Sequence, residues 1–564
     1  MNIFETDRDV LPIWVSSAEA AKTPELSVIK LQKKTGEFTT SAPLILAEFE
    51  ASSSVGVAIE LLNSAIIEGE QNIAIRAAEF LLDKQGLPPS VQKLVREQLG
   101  LKEPKQDEMH ANAIARLRAR IKSGGNDPLA WVDLSREYAI LGDKERSQRS
   151  MLVAYQMCTG HRWISRVAAR AFVHFNEPEK AYDLIKRNPE IRNDPWLVAT
   201  EMAVSRKTKK PTKLWTIAKR LLDSNIKPIH ISELASSAAT EELASGADKK
   251  AKGLFKQSLI DPNQNALAQA KWAERTSSLK KLVTVPLNPK IAAYEAQYWE
   301  AYSNKETLKA LEFAKAWLKE EPFSSGPPLA ISYIAALLDD YELILETTKK
   351  GLTANPSNAT LRLNEIFAWI ATTNFKSVTD EIEIKTESFM RELRSMINGP
   401  DWSVAAHASA NIGMYLYRIG SLEQGKLRYE AAEEQFEKNA PSLRIMLVVN
   451  HLREALIADA PWSMAILNSA HALLERKKSS VTPGSEFYLE KISLITQLPG
   501  TWREKFRNKQ TISSINEQLN AKYQKPTEEK ELSSKFWLPS EFDKTESLRE
   551  FTKGPILTIK RQRK

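Results

Sequence analysis

The sequence predicts an all-α protein, an α-solenoid of stacked antiparallel helix pairs. Over most of its 564 residues, apolar side chains recur at spacings of three and four, interrupted by Asn-Pro, Asp-Pro or Gly. Prolines return at a fixed interval, since Pro289, Pro322 and Pro356 lie 33 and 34 residues apart. No stretch alternates apolar and polar residues for long enough to predict a sheet. A period of this size is typical of repeat proteins, in which each helix pair buries its apolar face against its neighbours.

The chain divides into four regions in order. Residues 1–50 form an N-terminal extension, which we expect to pack against the region that follows. Residues 51–125 contain amphipathic runs and are predicted to be a helical cap or degenerate repeats. Residues 126–476 carry the repeat array. Residues 477–564 form a C-terminal helical cap and a basic tail, with SSVTPGSEF as a connecting loop and residues 501–523 as one helix.

The clearest repeat unit follows Asp127 and Pro128. Its packing residues are Trp131, Leu134, Ser135 and Tyr138 in the first helix and Ser147, Met151 and Ala154 in the second, with Gly142 at the turn. This pattern resembles the tetratricopeptide repeat (TPR), W-x2-L-G-x2-Y followed by A-x3-F and a closing proline. The resemblance implies a TPR-like superhelix with degenerate terminal caps, in which the first helix of each unit lines an inner groove.

A late unit repeats the pattern with small residues at the same places. Gly413 and Gly425 stand where two helices would cross, and Gly420 marks the turn between them. Small residues are required where helix backbones approach closely. At ~34 residues per repeat, the array between residues 127 and 476 has room for about ten units.

Composition limits the class of protein but not its partner. Hydrophobic residues make up 42% of the chain, charged residues 27%, and the mean hydropathy is −0.37. These values favour a soluble, folded protein and exclude disorder over most of the length. Cys158 is the single cysteine, so no intramolecular disulfide can form, and we expect a cytoplasmic location. The net charge of +8 and the pI near 9.1 permit an acidic partner.

No motif in the sequence indicates catalysis. The phosphate-binding glycine loops, the G-x-S-x-G elbow and the H-E-x-x-H zinc motif do not occur, and the seven histidines do not pair at helical ligand spacing. We therefore predict that the protein is not an enzyme and has no cofactor and no metal site. Cys158 is interpreted as a packing residue rather than a reactive thiol.

The candidate ligand site is a basic stripe in the groove. Arg162, Arg166, Arg170 and His174 follow one another at intervals of four, so on a helix they share one face, and Arg136 of the preceding unit would lie beside them. By resemblance, the stripe is similar to the clamp with which some TPR proteins hold a peptide carboxylate. Arginine suits carboxylate or phosphate equally. The alternative is a solvated or intramolecularly paired face, with Asp133 and Glu137 as partners of Arg136.

A secondary basic patch and a basic tail complete the candidate surfaces. The patch contains Lys207, Lys209, Lys210 and Lys213, which we expect at a turn between two helices, where solvation is the default role. The tail lies within residues 501–564, which hold 15 basic and 9 acidic side chains, a balance of +6.

Three functions remain open. The first is a non-catalytic scaffold or adaptor that holds a peptide or partner subunit in the groove of the superhelix. The second is a helical-repeat protein that binds RNA or DNA through phosphate contacts. The third is a regulatory subunit of a multi-protein bacterial stress or defence assembly. The first is the main prediction.

Overall fold

The computed structural model of the chain describes residues 8–25, 42–68, 70–84, 87, 89–99, 106–124, 127–284, 287, 292–476 and 482–523. Helices account for the regular structure of these residues, and none of them lies in a strand. The predicted all-α class is therefore confirmed. The basic tail of the sequence analysis falls after residue 523, outside the described residues.

Before the repeat array, the described residues form six helices. Residues 8–16 have no regular secondary structure, and the N–H of Leu11 donates to the carbonyl of Asp9 at 2.8 Å. They lead into one helical turn, and five longer helices follow. Their bounds are Ser17–Ala20 (α1), Ala42–Ser52 (α2), Val55–Glu68 (α3), Gln71–Leu82 (α4), Pro89–Gln98 (α5) and Gln106–Gly124 (α6). Helices α2 to α5 bury their own apolar cluster, which includes Leu61, Leu62 and Leu81.

The array consists mainly of antiparallel helix pairs, each packed on the next. Helix α15 stands without a second helix, because the chain between α15 and α16 is irregular where it is described. The bounds are Pro128–Ile140 (α7), Lys144–Met157 (α8), Arg162–His174 (α9), Pro178–Lys186 (α10), Pro195–Lys207 (α11), Trp215–Leu222 (α12), Pro228–Ala244 (α13), Asp248–Ser258 (α14), Gln264–Thr276 (α15), Tyr294–Ser303 (α16), Thr307–Glu320 (α17), Gly326–Leu338 (α18), Tyr341–Ala354 (α19), Ala359–Thr372 (α20), Asp380–Ile397 (α21), Trp402–Arg418 (α22), Leu422–Asn439 (α23), Arg444–Ile457 (α24) and Ser463–Arg476 (α25).

Several helices of the array begin directly after an Asp or Asn residue that caps them. Asp127, Asp194 and Asn358 each accept a hydrogen bond from a backbone N–H in the first turn of the helix that they precede. These side chains satisfy donors that have no partner within the helix. Proline follows at the first helical position of α7 and α11, where its missing N–H costs nothing.

Small residues occupy the crossings within pairs, as the sequence predicts. The hydroxyl of Ser135 in α7 donates to the carbonyl of Ser147 in α8 at 2.8 Å, and the hydroxyl of Ser147 donates back to the carbonyl of Ser135 at 2.7 Å. In the late unit, a Cβ added to Gly413 would lie 3.0 Å from the carbonyl oxygen of Gly425. Larger side chains at these positions would hold the backbones apart.

The array curls until its start meets its middle. Helix α7 contacts α19, and the guanidinium of Arg136 donates to the carbonyl of Glu320 at 2.9 Å. At the α7–α8 turn, Gly142 has φ +72°, and a Cβ on it would lie 2.1 Å from the carbonyl oxygen of Thr353. Residues 128–354 therefore close on themselves where α7 meets α19.

The C-terminal helices fold back on the middle of the array. They are Pro483–Thr496 (α26), Trp502–Arg507 (α27) and Lys509–Tyr523 (α28), and α26 and α28 pack on α18. Two sequence predictions are wrong here. The predicted loop SSVTPGSEF contains the start of α26, because Thr482 caps a proline-led helix. The single helix predicted over 501–523 is broken at Asn508, whose backbone is extended.

Candidate functional site

The groove is defined here as the concave surface of α7, α9, α11, α13 and α15. Its helices bury polar side chains on the concave side, which is unusual for a repeat array whose inner face meets water. Thr200, Glu201, Glu233, Asn265 and Gln269 are all at most 2–3% exposed. Such burial requires partners for these polar groups.

Residues 8–25, hereafter the N-terminal segment, supply partners to Asn265 and Gln269. Thr200 and Glu233 bond Arg166 instead, and Glu201 accepts from Ser205 and Thr212. The segment lies along the groove instead of packing against residues 51–125, so the packing predicted for the extension is wrong for these residues. Its main-chain carbonyls accept hydrogen bonds at intervals of three residues. Gln269 donates to Arg8 at 2.8 Å, Asn265 donates to Leu11 at 2.8 Å, and Arg136 donates to Trp14 at 3.1 Å.

Charged side chains fix the start of the N-terminal segment. The guanidinium of Arg8 donates to both carboxylate oxygens of Glu295, at 2.8 and 2.7 Å. Asp9 has an almost fully buried side chain and pairs with Arg206 at 2.6 Å and with Lys207 at 2.9 Å. Bidentate and charge-assisted contacts of this kind are stronger than neutral hydrogen bonds.

An aromatic anchor holds the middle of the N-terminal segment. Trp14 is fully buried, and its ring lies 4.9 Å from the ring of Phe323, which lies in the loop between α17 and α18. The indole N–H of Trp14 has no hydrogen-bond partner. Three residues on, the backbone N–H and the hydroxyl of Ser17 both donate to Asp133, at 2.7 and 2.6 Å.

A buried cluster of one cation and two carboxylates holds the end of the N-terminal segment. Arg166 is fully buried and forms ion pairs with Glu25 and with Glu233 of α13. Its Nε donates to the hydroxyl of Thr200 at 2.9 Å. Burial raises the pKa of Glu25 to about 7, with the nearby Glu233 acting in the same direction and Arg166 opposing them.

The predicted stripe lies in this groove, but its arginines have intramolecular partners. Arg162 pairs with Asp194, and Arg170 lies 3.5 Å from Glu321 and over the ring of Phe323. Burial, with Arg170 and Lys144 nearby, lowers the pKa of His174 to about 3, so this imidazole is neutral at pH 7. The paired alternative is thus what the structure contains, and a role of the stripe toward an outside ligand stays a prediction.

The partners differ from those expected for Arg136. Asp133 accepts from Ser17, and Glu137 lies 2.7 Å from His110 of α6. Arg136 itself bonds the carbonyls of Trp14 and Glu320, which come from distant parts of the chain.

The secondary basic patch is divided between two environments. Lys207 belongs to the groove through its pair with Asp9. Lys209, Lys210 and Lys213 are exposed on the turn between α11 and α12, where Lys210 lies 5.5 Å from the ring centre of Tyr182. Only the exposed three can meet a large partner from solution.

A polar cavity of about 770 Å³ adjoins the groove where the array closes. The N-terminal segment forms one wall of it, so the cavity would widen if the segment left. Basic and acidic side chains are mixed in its lining: Arg8, Lys144, Arg170 and Lys207 with Asp9, Glu295 and Glu321. This mixture suits a polar or zwitterionic chain better than a strongly anionic one.

Sequence reasoning missed the main polar residues of the groove. Asn265 and Gln269 lie four residues apart on α15, a spacing that places two amides on one helix face. Glu25 and Glu233 could not be linked to Arg166, because they lie far from it in the chain. Among the described residues, no group of three His, Cys, Asp or Glu side chains could hold a metal, and no described helix is long and apolar enough to cross a membrane.

Comparisons with known proteins identify no family for this chain. No protein-family model matches it, and no curated protein matches it. Solved structures that are similar include a human IFIT1 dimer with PPP-AAAA, at 14% identity and a TM-score of 0.27, covering 81% of this chain and 94% of that one. A monomeric IFIT1 mutant with Gppp-AAAA is similar at 13% identity and a TM-score of 0.25, covering 78% and 90%.

Proposed function

We propose that this protein is a non-catalytic scaffold or adaptor whose groove holds an extended peptide segment of a protein partner. One observation carries the proposal. Side chains from α7 and α15 donate to the main-chain carbonyls of Arg8, Leu11 and Trp14, which are spaced three residues apart. Bonds to a main chain do not depend on the peptide's side chains, so the same donors can hold another extended peptide.

The charges of the groove support a peptide over a polyanion. Each arginine of the predicted stripe has a carboxylate partner, and Glu233, Glu295 and Glu321 remain in the groove region whatever occupies it. Phosphate-driven binding needs an excess of positive charge, which neutralises successive phosphates. A peptide, which carries charges of both signs and a polar main chain, matches this balanced surface better.

Site-specific photo-crosslinking tests the proposal. A photoreactive amino acid replaces Val173, which lines the cavity beside the groove, and in a control it replaces Arg149, whose side chain is 73% exposed on the outer helix α8. After nuclease treatment of the cell extract, we expect position 173 to capture a separate polypeptide that position 149 does not. Capture of nucleic acid alone, or only of the chain's own N-terminal segment, would contradict the proposal.

Nucleic-acid binding is the second candidate, and one observation favours it. Lys209, Lys210 and Lys213 are exposed within five residues on one turn. The IFIT1 structures contain PPP-AAAA and Gppp-AAAA, but the similarity to this chain is too small to extend those ligands to it. If these lysines bind phosphate, affinity for RNA or DNA falls steeply with salt, and replacing all three by alanine reduces that salt dependence. Binding unchanged by the triple replacement removes this candidate.

A further inference from the structure

We propose that the N-terminal segment is an internal competitor for the groove, and that its sequence shows the chemistry of the partner. That partner is a peptide with a carboxylate, an aromatic side chain five residues later and a second carboxylate eleven residues after that, as in Asp9, Trp14 and Glu25. A helical turn separates the aromatic side chain from the second carboxylate. This inference rests on the proposed function, because it names the peptide class that the groove takes.

The cations that contact carboxylates of the N-terminal segment keep a carboxylate or water if the segment leaves, whereas Asp133 and Glu295 lose their contacts with Ser17 and Arg8. Arg166 keeps its ion pair with Glu233, and Arg206 keeps Glu241, whose carboxylate lies 3.9 Å away. Lys207 is about one-third exposed and would be hydrated. A groove whose cations have resident carboxylates tolerates exchange of its occupant, because unpaired buried charge is what makes such removal costly.

The N-terminal segment is also an imperfect ligand. The indole N–H of Trp14 is buried without an acceptor, and leaving a buried donor unpaired is unfavourable. The Glu25 carboxylate shares Arg166 with Glu233, so two negative charges compete for one guanidinium. A partner peptide that has phenylalanine in place of Trp14 would avoid the first defect while filling the same space against Phe323.

Side chains at both ends of the N-terminal segment make contacts that depend on the sequence of the peptide, which main-chain hydrogen bonds do not. The Asp9 carboxylate meets Arg206 and Lys207 of α11, and the Glu25 carboxylate meets Arg166 of α9. These contacts require a carboxylate at two fixed distances along the peptide. Main-chain hydrogen bonds hold the peptide in the groove, whereas Arg206, Lys207 and Arg166 determine which peptide sequence binds.

Peptide exchange on the full chain tests the inference. A protease site is introduced between residues 25 and 42 of the full-length protein, the folded protein is cleaved, and a fluorescent peptide with the sequence of residues 8–25 is added. We expect the labelled peptide to replace the cleaved segment and to raise fluorescence anisotropy. An unlabelled peptide with W14F should compete at least as well as the native sequence, whereas D9K should compete at least tenfold worse.

The uncleaved chain provides the second measurement. We expect it to bind the labelled peptide at least tenfold more weakly than the cleaved chain, because its own segment is held at high effective concentration. A scrambled peptide of the same composition is the control. Loss of helix content on cleavage would show that the segment is part of the core, and a folded protein that never exchanges the peptide would equally overturn the inference. Either failure is distinct from failure of the proposed function, which is read from capture at position 173.

Discussion

The crossing of α22 and α23 depends on two glycines that leave no room for a side chain. A Cβ on Gly413 would lie 2.8 Å from the ring of Tyr429 and 3.0 Å from the carbonyl oxygen of Gly425. Tyr429 is itself buried, so it cannot swing into solvent. The sequence pattern alone predicted this contact, because small residues recur at the same position of each repeat unit.

We predict that Gly413→Ala lowers the free energy of unfolding by about 1–3 kcal/mol, because the added methyl group forces two packed helices apart. Gly253→Ala is the matched control, since Gly253 lies in helix α14 with open space around it. Alanine there should stabilise the protein by about 0.5–1 kcal/mol. Chemical denaturation measures both, and equal effects of the two substitutions would refute the packing argument.

The interval of four between the arginines predicted that they share one helix face, but it did not predict their ion-pair partners. Arg162, Arg166 and Arg170 lie on one side of α9, as intervals of four require. Glu233, which pairs with Arg166, lies 67 residues further along the chain. Such a pair depends on how helix pairs stack, and nothing local to either residue specifies it.

We predict that His407 makes the protein sensitive to acid. Burial lowers its pKa to about 3, and its Nδ1–H donates to the carbonyl of Ser403 at 2.7 Å. In the unfolded chain the pKa is about 6.5, so the unfolded state binds the proton more tightly and stability falls as pH drops below about 6.5. Between pH 7 and pH 5, the free energy of unfolding of His407→Gln should fall by about 1–2 kcal/mol less than that of the wild type. Parallel pH profiles of unfolding would contradict this.

Among the elements, α26 is joined to the array by a buried ion pair. Lys491 is fully buried and lies 2.5 Å from Asp339, which ends α18 with φ +58°. Burial opposes ionisation, but Lys491 and Arg453 together lower the pKa of Asp339. The sequence could not indicate this docking, because the two residues lie 152 positions apart and neither stands out from the charged residues around it.

We predict that Asp339→Asn lowers the free energy of unfolding by about 3–5 kcal/mol, since it leaves Lys491 buried without its counter-charge. Asparagine tolerates a positive φ, so the backbone of the helix end is preserved. Adding Lys491→Met should restore a large part of the loss, because the unpaired charge is then absent. A double variant no more stable than Asp339→Asn alone would argue against the ion-pair account.

For the whole molecule, the closure of residues 128–354 determines where a ligand can lie. The sequence predicted a superhelix of helix pairs from its period of about 34 residues. How tightly the superhelix curves was not predictable, because its curvature is the sum of small rotations between neighbouring helix pairs. Nor could the sequence indicate that the chain's own residues 8–25 fill the groove, since their composition is mixed and without period.

We predict that Gly142→Ala destabilises the protein by at least about 2 kcal/mol more than Gly246→Ala. Both glycines have positive φ, +72° and +78°, so alanine is strained by a similar amount at either site. Only at position 142 does the added carbon meet another part of the array, the carbonyl of Thr353. Thermal unfolding of the two variants gives the difference, and equal midpoints would mean that the closure contributes nothing.

Zero-length carbodiimide coupling, read by mass spectrometry of the monomeric protein, tests most directly that the groove holds an extended segment. This reagent joins a carboxylate to an amine only where the two are in contact. We expect a link between Asp9 and Lys207, which are 2.9 Å apart. When an isotope-labelled peptide of residues 8–25 is added in excess to the protein cleaved between residues 25 and 42, we expect a link from Lys207 to Asp9 of the labelled peptide in its place. Lys509 and Glu342, 2.7 Å apart on the outside, provide the control. A link between Lys509 and Glu342 without one between Asp9 and Lys207 would contradict the account.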